Sequence, residues 1–390
     1  EVPVMSPWRT VTPITTPTWV LERNPYYYAV DIEGNQLPYI DRIQMTLAEN
    51  LEVLNLRAAA GEYDVQGRHE DLSKLPVLLE NQEKGNYTVR LDPADYGADA
   101  VIYPNLSYEG DPEVGKLIRT ADFRRALSLG IDRDQLNETF WLGTGTPGSS
   151  VVADHYPENP GPEYRKLWAV LDVNKANELL DKIGLDKKDG EGFRLRPDGK
   201  GRLRLEMLTP GAAFLPLTQI GEMIREHWKK IGIWVDVVEL ERGLWLKRIE
   251  ANDYQLTLRW GNTGTEIPFI SNWTFLPVMP RSEEGPLYGA WYASGGKSGK
   301  KPEDPLILRG YELLRRAKGV KEEERIAIGK ELWKLHVDQV WTIGTVGLGP
   351  AILGVRVVKN YMGNVPQRLS INRNTRTPGA SHPSTYFVKS

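Results

Sequence analysis

Residues 202–240 read RLRLEMLTPGAAFLPLTQIGEMIREHWKKIGIWVDVVEL, and the stretch changes its hydrophobic period twice. Arg202 to Leu208 has the pattern of a strand. Leu217 to Ile231 is helical, with Ile220, Ile224, Trp228 and Ile231 spaced three and four apart on one buried stripe. Gly232 suits the left-handed residue that stops a helix, and Ile233 to Leu240 resumes extended chain. Strand, helix and strand in that order form a β-α-β unit, whose helix crosses over a parallel pair. The chain is therefore of the α/β class.

The same grammar extends toward both ends. Asn24 to Ile43 reads NPYYYAVDIEGNQLPYIDRI: Asn24-Pro25 turns away from helix, Glu33-Gly34-Asn35 suits a turn, and Pro38 sets an extended entry. Tyr26, Tyr27 and Tyr28 read as packing around a surface turn. Arg42 to Leu47 alternates like a half-buried strand; a helix with Leu51, Leu54 and Ala58 on one face stops at Gly61, and Tyr63 to Val65 extends again. Tyr87 to Leu91 and Ala98 to Tyr103 are short strands. Thr120 to Ile131 forms a helix with Phe123, Ala126, Leu127 and Ile131 inward; Asp132 with Gln135 makes a capping-box-like start for a second, which runs through Trp141 and ends in glycines. Asn174 to Ile183 is a short helix stopped by Gly184, and 185–201 is a solvated loop shaped like a hairpin tip. After residue 240 come a helix near Leu244 to Ala251 and a strand at Tyr254 to Trp260. A long loop at 261–304 follows, then helices at Pro305 to Lys318 and Lys321 to Gln339 and a strand at Val340 to Val346. No internal repeat is visible.

A chain of 390 residues exceeds the usual single-domain size, so two packed units are expected. Its net charge of -3 and pI near 6.1 provide no electrostatic footprint for nucleic acid or anionic membrane. The balance of 40% hydrophobic and 26% charged residues fits a soluble globular protein. No apolar run approaches the roughly 20 residues that cross a bilayer, and the opening EVPVMSPWRT lacks the basic and apolar regions of a signal peptide. Pro3, Pro7, Pro13 and Pro17 are scattered through a start with no element of its own before Thr18 to Leu21, so the chain reads as beginning mid-protein. The absence of cysteine removes disulfides, zinc–thiolate sites and thiol catalysis.

Motifs for chemistry are weak. Gly143 to Gly148, GTGTPG, matches the letters of a dinucleotide phosphate loop, but a helix precedes it where a strand is needed, and Pro147 removes an amide. The alternative, a nucleotide-dependent enzyme using this loop, is correspondingly disfavoured. The five histidines show no metal-binding spacing; His227 and His336 lie in amphipathic helices, where packing explains them. Ser149 and Ser150 lack the strand-to-helix setting of a nucleophile, and Asp132 and Asp134 are explained by helix capping. No catalytic residue, cofactor or metal is expected. The aromatic loop is more informative: Trp260, Trp273, Tyr288, Trp291 and Tyr292 lie among glycines and prolines after a strand end, where open α/β sheets place ligands. The rings either pin the loop or bind. Trp260 and Trp273 offer flat stacking faces, Asn262 and Thr263 neutral hydrogen bonds, and Glu266 a charge for a cationic group.

Five segments in order carry a resemblance: 24–43 as quoted, LRAAAGEYDV (56–65), DFRRALSLGIDRDQL (122–136), GTGTPGSS (143–150) and KKIGIWVDVV (229–238). Together they resemble the oligopeptide, dipeptide and nickel solute-binding proteins of ABC importers, over nearly the whole chain. The resemblance implies a two-lobed, class II periplasmic-binding-protein-like fold with the amino-terminal part of the first lobe missing. The remaining part of lobe I is then 1–108, the second lobe 109–350 and the return segment 351–390, with ligand between the lobes. It implies a monomeric, exported protein on the periplasmic or extracellular face, lipid-anchored or not, which delivers a small solute to ABC permease subunits. With part of lobe I missing, weak or absent ligand binding is expected. The resemblance also sets Asn262, Thr263 and Glu266 at the segment that touches ligand. Peptide-binding members carry an aspartate shortly after the Trp that ends the corresponding strand, and here the residues are WGNTGTEIP (260–268), with Thr263 in that place. An oligopeptide remains one expected ligand and an oligosaccharide the other.

Overall fold

The computed structural model describes residues 4–95, 97–211, 214–261, 276–371 and 381–389. The chain divides into two compact units, one of Glu1–Ala94 with Pro350–Ser390 and one of Asp95–Gly349.

The Asp95–Gly349 unit is built on a five-stranded sheet in the order Ile343–Gly344, Ala100–Pro104, Leu256–Trp260, Arg204–Pro210, Trp234–Leu240. The last three strands are parallel to one another, and Ala100–Pro104 runs against both its neighbours. The β-α-β unit is as its sequence predicts: helix Leu217–Lys229 crosses between its strands, and Ile220, Ile224, Trp228 and Ile231 are all buried. At Gly221 a Cβ would lie 3.1 Å from Val237 Cγ1 and 3.2 Å from Met207 Cε, so the helix packs here closely enough that these side chains would have to give way by a few tenths of an ångström. The strand Ala100–Pro104, which the resemblance put in the first lobe, lies in this unit because both of its ladder partners do.

Several local expectations are corrected. The single strand expected at 340–346 is two short pieces, Ile343–Gly344 and Val346–Gly347, because the chain leaves Ala100–Pro104 and pairs instead with Thr146–Pro147. Part of the expected loop 261–304 is a helix, Pro286–Ala293; Tyr288 is buried in it, and the rings of Trp291 and Tyr292 lie 6.2 and 4.5 Å from that of Tyr311. Trp291 and Tyr292 therefore pin their segment to helix Pro305–Arg316. Helix Arg133–Trp141 is N-capped by Asp132, whose carboxylate accepts from the Gln135 amide, but the Gln135 side chain turns away to His227 instead of closing a capping box. The same helix ends on a left-handed Leu142, one residue ahead of the glycines.

The arginines of residues 122–136 have a structural explanation. Arg124 is buried and donates to the carbonyls of Ile118, Gln339 and Val340, so one guanidinium answers the last carbonyls of helices Pro112–Arg119 and Glu322–Asp338. Helix ends leave such acceptors without intrahelical partners and carry partial negative charge, which a cation matches. Arg125 adds the Asp338 carbonyl and carboxylate at 2.9 and 3.0 Å. Arg133 is buried too and donates to the carbonyls of Gly344, Ser128 and Ala169 and to Ser128 Oγ, at 2.7 to 3.0 Å.

In the other unit, Trp8–Thr12, Thr18–Arg23 and Arg42–Thr46 form an antiparallel sheet. The proline-rich opening thus has an element of its own, which fits because Pro7 and Pro13 flank the strand and do not interrupt its ladder. In the 24–39 connection, Asp31 accepts from the amides of Glu33 and Asn35 and from Tyr39 Oη, and these bonds, the Tyr39 one foremost, hold its carboxyl down at about 2. Tyr26 and Tyr28 are exposed, 90% and 73%, so packing within this unit does not account for them. A second sheet sets Val355–Lys359 between Val65–Gln66 and Tyr87–Leu91, all antiparallel. Gly61, at φ 74, needs its freedom twice over, since a Cβ would also strike the Gly85 carbonyl.

Candidate functional site

The three parallel strands of the Asp95–Gly349 unit end at Pro210, Leu240 and Trp260, and the side chains that follow them gather at one edge. Trp260 is half-buried. The Phe214 ring meets it edge-on at 5.7 Å, and the guanidinium carbons of Arg242 and Arg259 lie 5.7 and 5.5 Å from its centre. Phe214 follows the first strand, Arg242 the second and Trp260 closes the third, so three crossings that are distant in sequence supply one aromatic, cationic cluster. Arg242 is exposed and opens helix Arg242–Glu250, whose first amides are taken by the Glu241 carboxylate. Those bonds hold the Glu241 carboxyl below its ordinary value. The cluster can stack against a flat apolar or sugar-like face and hold a hydroxyl or an anion.

Of the residues expected from sequence, Trp260 is at this edge. Asn262, Thr263, Glu266 and Trp273 lie outside the described residues. Sequence reasoning missed Phe214, Arg242 and Arg259. The rule that ligands meet the carboxyl ends of parallel strands would have found the first two had it been applied to all three strands.

Behind the edge, two sets of buried ionisable groups underlie the sheet. Asp99 precedes strand Ala100–Pro104 and is fully buried; its carbonyl accepts the Gly261 amide and one carboxyl oxygen accepts Trp141 Nε1 at 2.9 Å. Burial pushes its carboxyl up to about 8. Arg259 is buried, paired with the Glu283 carboxylate and 5.7 Å from the Tyr103 ring centre.

The remaining motifs are structural. The Gly143–Gly148 turn follows a helix, and the amides of Gly143, Thr144, Gly145 and Gly148 all donate to acceptors of the chain itself while Pro147 has none. A phosphate would find those donors already engaged. Ser150 Oγ, His336 Nε2 and Thr342 Oγ1 lie 2.7 to 3.2 Å apart, but all three residues are buried and His336 is wedged between the rings of Trp333 and Trp341. His227 accepts the Asp132 amide at Nδ1, which leaves its proton on Nε2 facing Gln135 Oε1 at 2.8 Å. It borders a shallow depression of about 460 Å³ lined also by Glu222, Met223 and Lys230. Among the described residues no group of three or more His, Cys, Asp and Glu could hold a metal ion, and no helix is long and apolar enough to cross a membrane.

Comparison with known proteins adds the following. The family model "Bacterial extracellular solute-binding proteins, family 5 Middle" matches residues 6–277. The periplasmic alpha-galactoside-binding protein of Rhizobium meliloti (strain 1021) is 25% identical over 383 residues, 94% of this chain and 52% of that protein. A solved structure of the oligopeptide-binding protein OppA is 31% identical, with a TM-score of 0.73 over 100% of this chain and 63% of its own. The periplasmic binding protein MelB of Agrobacterium fabrum C58, in complex with stachyose, is 21% identical, with a TM-score of 0.72 over 99% of this chain and 57% of its own, a likeness of fold. The chain thus spans about half the length of the first curated relative it matches and under two thirds of these solved chains.

Proposed function

Because the chain belongs to the bacterial extracellular solute-binding proteins of family 5, we propose that it is the solute-capturing part of an ABC importer. On this reading the protein is exported, works as a monomer on the periplasmic or extracellular face, and passes a small solute to membrane permease subunits without transforming it. The observation that carries the reading at the level of the site is the Trp260 cluster at the carboxyl ends of three parallel strands, where an α/β unit meets its ligands. Trp260, Asn262, Thr263, Glu266 and Trp273 are the proposed ligand contacts, and Phe214 and Arg242 join them.

A neutral oligosaccharide is the ligand class we favour. Trp260 supplies an aromatic face, the acid that would meet a peptide ammonium is replaced by Thr263, and the curated relative matched over 94% of the chain is named for alpha-galactosides. An oligopeptide is the second reading, favoured by the 31% identity to the oligopeptide-binding protein. Mass spectrometry of solute released from the full-length protein purified from its native source, followed by calorimetry of that full-length protein with stachyose and with a tripeptide, separates them. Released sugar and measurable binding of stachyose are expected; released peptide with no response to sugar would overturn the choice of ligand, and no small solute at all would overturn the function.

A further inference from the structure

The hydrogen bonds of Glu283 and Glu284 leave a charge unaccounted for in the core of the Asp95–Gly349 unit. The two carboxyl groups are adjacent in sequence and 3% and 0% exposed. Among the described residues one cation faces them, Arg259 on strand Leu256–Trp260, and it pairs with Glu283. Glu284 Oε1 and Oε2, Glu283 Oε2 and Tyr103 Oη have no hydrogen-bond partner among the described residues. The other groups that face the pair are tyrosines: Tyr103 on Ala100–Pro104, Tyr254, which donates to the Glu283 carbonyl, and Tyr311 on helix Pro305–Arg316. None is cationic. With both carboxyls ionised the described set carries one negative charge more than the single Arg259 cation balances, and a buried charge without a full partner costs several kcal/mol. The backbone tightens the constraint, since the Leu106 amide donates to the Glu284 carbonyl at 2.8 Å and keeps the segment beside the sheet.

We infer that Glu284 holds a proton in the folded protein at neutral pH, and that losing this proton as the medium turns alkaline destabilises the Asp95–Gly349 unit, so that its stability senses pH. A neutral carboxylic acid supplies the missing charge balance and turns one oxygen into a donor. Burial first, and the neighbouring Glu283 second, raise Glu284 well above the ordinary carboxyl range. The folded chain therefore binds one more proton than the unfolded chain at every pH between the ordinary glutamate value and the raised one. Stability falls with rising pH across that window. The inference does not depend on the proposed function.

The test is urea unfolding of the protein from pH 6 to pH 9 for wild type and Glu284→Gln, at fixed sodium and potassium. The amide keeps the shape and cannot ionise. Wild type is expected to lose up to about tenfold in its folding equilibrium constant per pH unit relative to the variant, with the two closest at pH 6. If the amide variant fails to fold, Glu284→Leu serves the same comparison, because an apolar side chain needs no partner there. Parallel pH slopes for wild type and variant would overturn the inference. So would a wild-type stability that rises with potassium, sodium or calcium at constant pH and loses that response in Glu284→Gln, since the missing charge would then be a bound cation.

Discussion

Replacing Arg133 by Met removes a buried guanidinium and little volume. Five hydrogen bonds disappear, four to the carbonyls of Gly344, Ser128 and Ala169 and to Ser128 Oγ and a long one of 3.5 Å to the Ile131 carbonyl. Ser128 O keeps the Ile131 amide at 3.3 Å, so the strict loss falls on Gly344 and Ala169, from the sheet edge and from the turn after helix Glu163–Lys166. A buried acceptor that loses its donor costs about 1–3 kcal/mol, which gives roughly 2–6 kcal/mol for two. Part is returned, because burial without a carboxylate is itself unfavourable to the guanidinium and holds its pKa down to about 9. The expected net loss is about 3 kcal/mol, or a Tm lower by about 6–12 °C for a unit of this size. Arg133→Lys should do no better than Met, since an ammonium cannot span three carbonyls held in fixed directions by a planar fork. Urea unfolding followed by tryptophan fluorescence measures both. A loss below about 1 kcal/mol for Met, or wild-type stability for Lys, would show that the arginine is not the clamp between these elements.

Three further outcomes follow from the geometry. In the full-length protein Trp260→Ala should weaken a sugar ligand by about 1–3 kcal/mol in calorimetry and leave the unfolding midpoint nearly unchanged, whereas a large stability loss with unaltered affinity would make the ring a packing residue. Burial holds His227 below its ordinary value, so the unfolded chain takes up that proton first and stability declines as pH falls through about 6.5 toward the lower folded value. His227→Gln should flatten this acid limb between pH 5 and 7, and an unchanged limb assigns it to other groups. Asp92 and Arg356 form a bidentate pair at 2.8 and 3.1 Å with 0% and 3% exposed side chains, so Asp92→Asn should cost about 3–5 kcal/mol, and Arg356→Met added to it should recover part; additive losses would deny the coupling.

What the sequence disclosed about the fold was local and periodic. The crossover helix and its two strands were legible in 202–240 because one hydrophobic stripe and one stop glycine suffice to mark them. Val355–Lys359 was not, because VRVVK is too short to show a period, and its identity as a central strand depends on partners some 270 residues earlier in the chain. Helix Pro286–Ala293 was hidden for another reason: PLYGAWYA mixes glycine with aromatics and shows no polar face. The arginines of 122–136 were visible as a pattern, yet their purpose was not, since the carbonyls that Arg124 answers belong to helix ends at 118 and 339 and those of Arg133 include Gly344 and Ala169.

The site was legible in one dimension only. Trp260 could be named because it closes a strand and opens an aromatic run, both of which are readable along the chain. Its neighbours Phe214 and Arg242 follow other strands and meet it solely because parallel strands bring their carboxyl ends to one edge. The same topology explains why a basic residue is tolerated at the first turn of helix Arg242–Glu250, where the helix dipole disfavours it. Glu241 neutralises the helix end through two amides, and the indole of Trp260 receives the cation. Among the described residues Arg242 is thus held at the edge by an aromatic face and not by a carboxylate. Removing Trp260 would therefore take away a stacking surface and, at the same time, the support that positions the cation beside it.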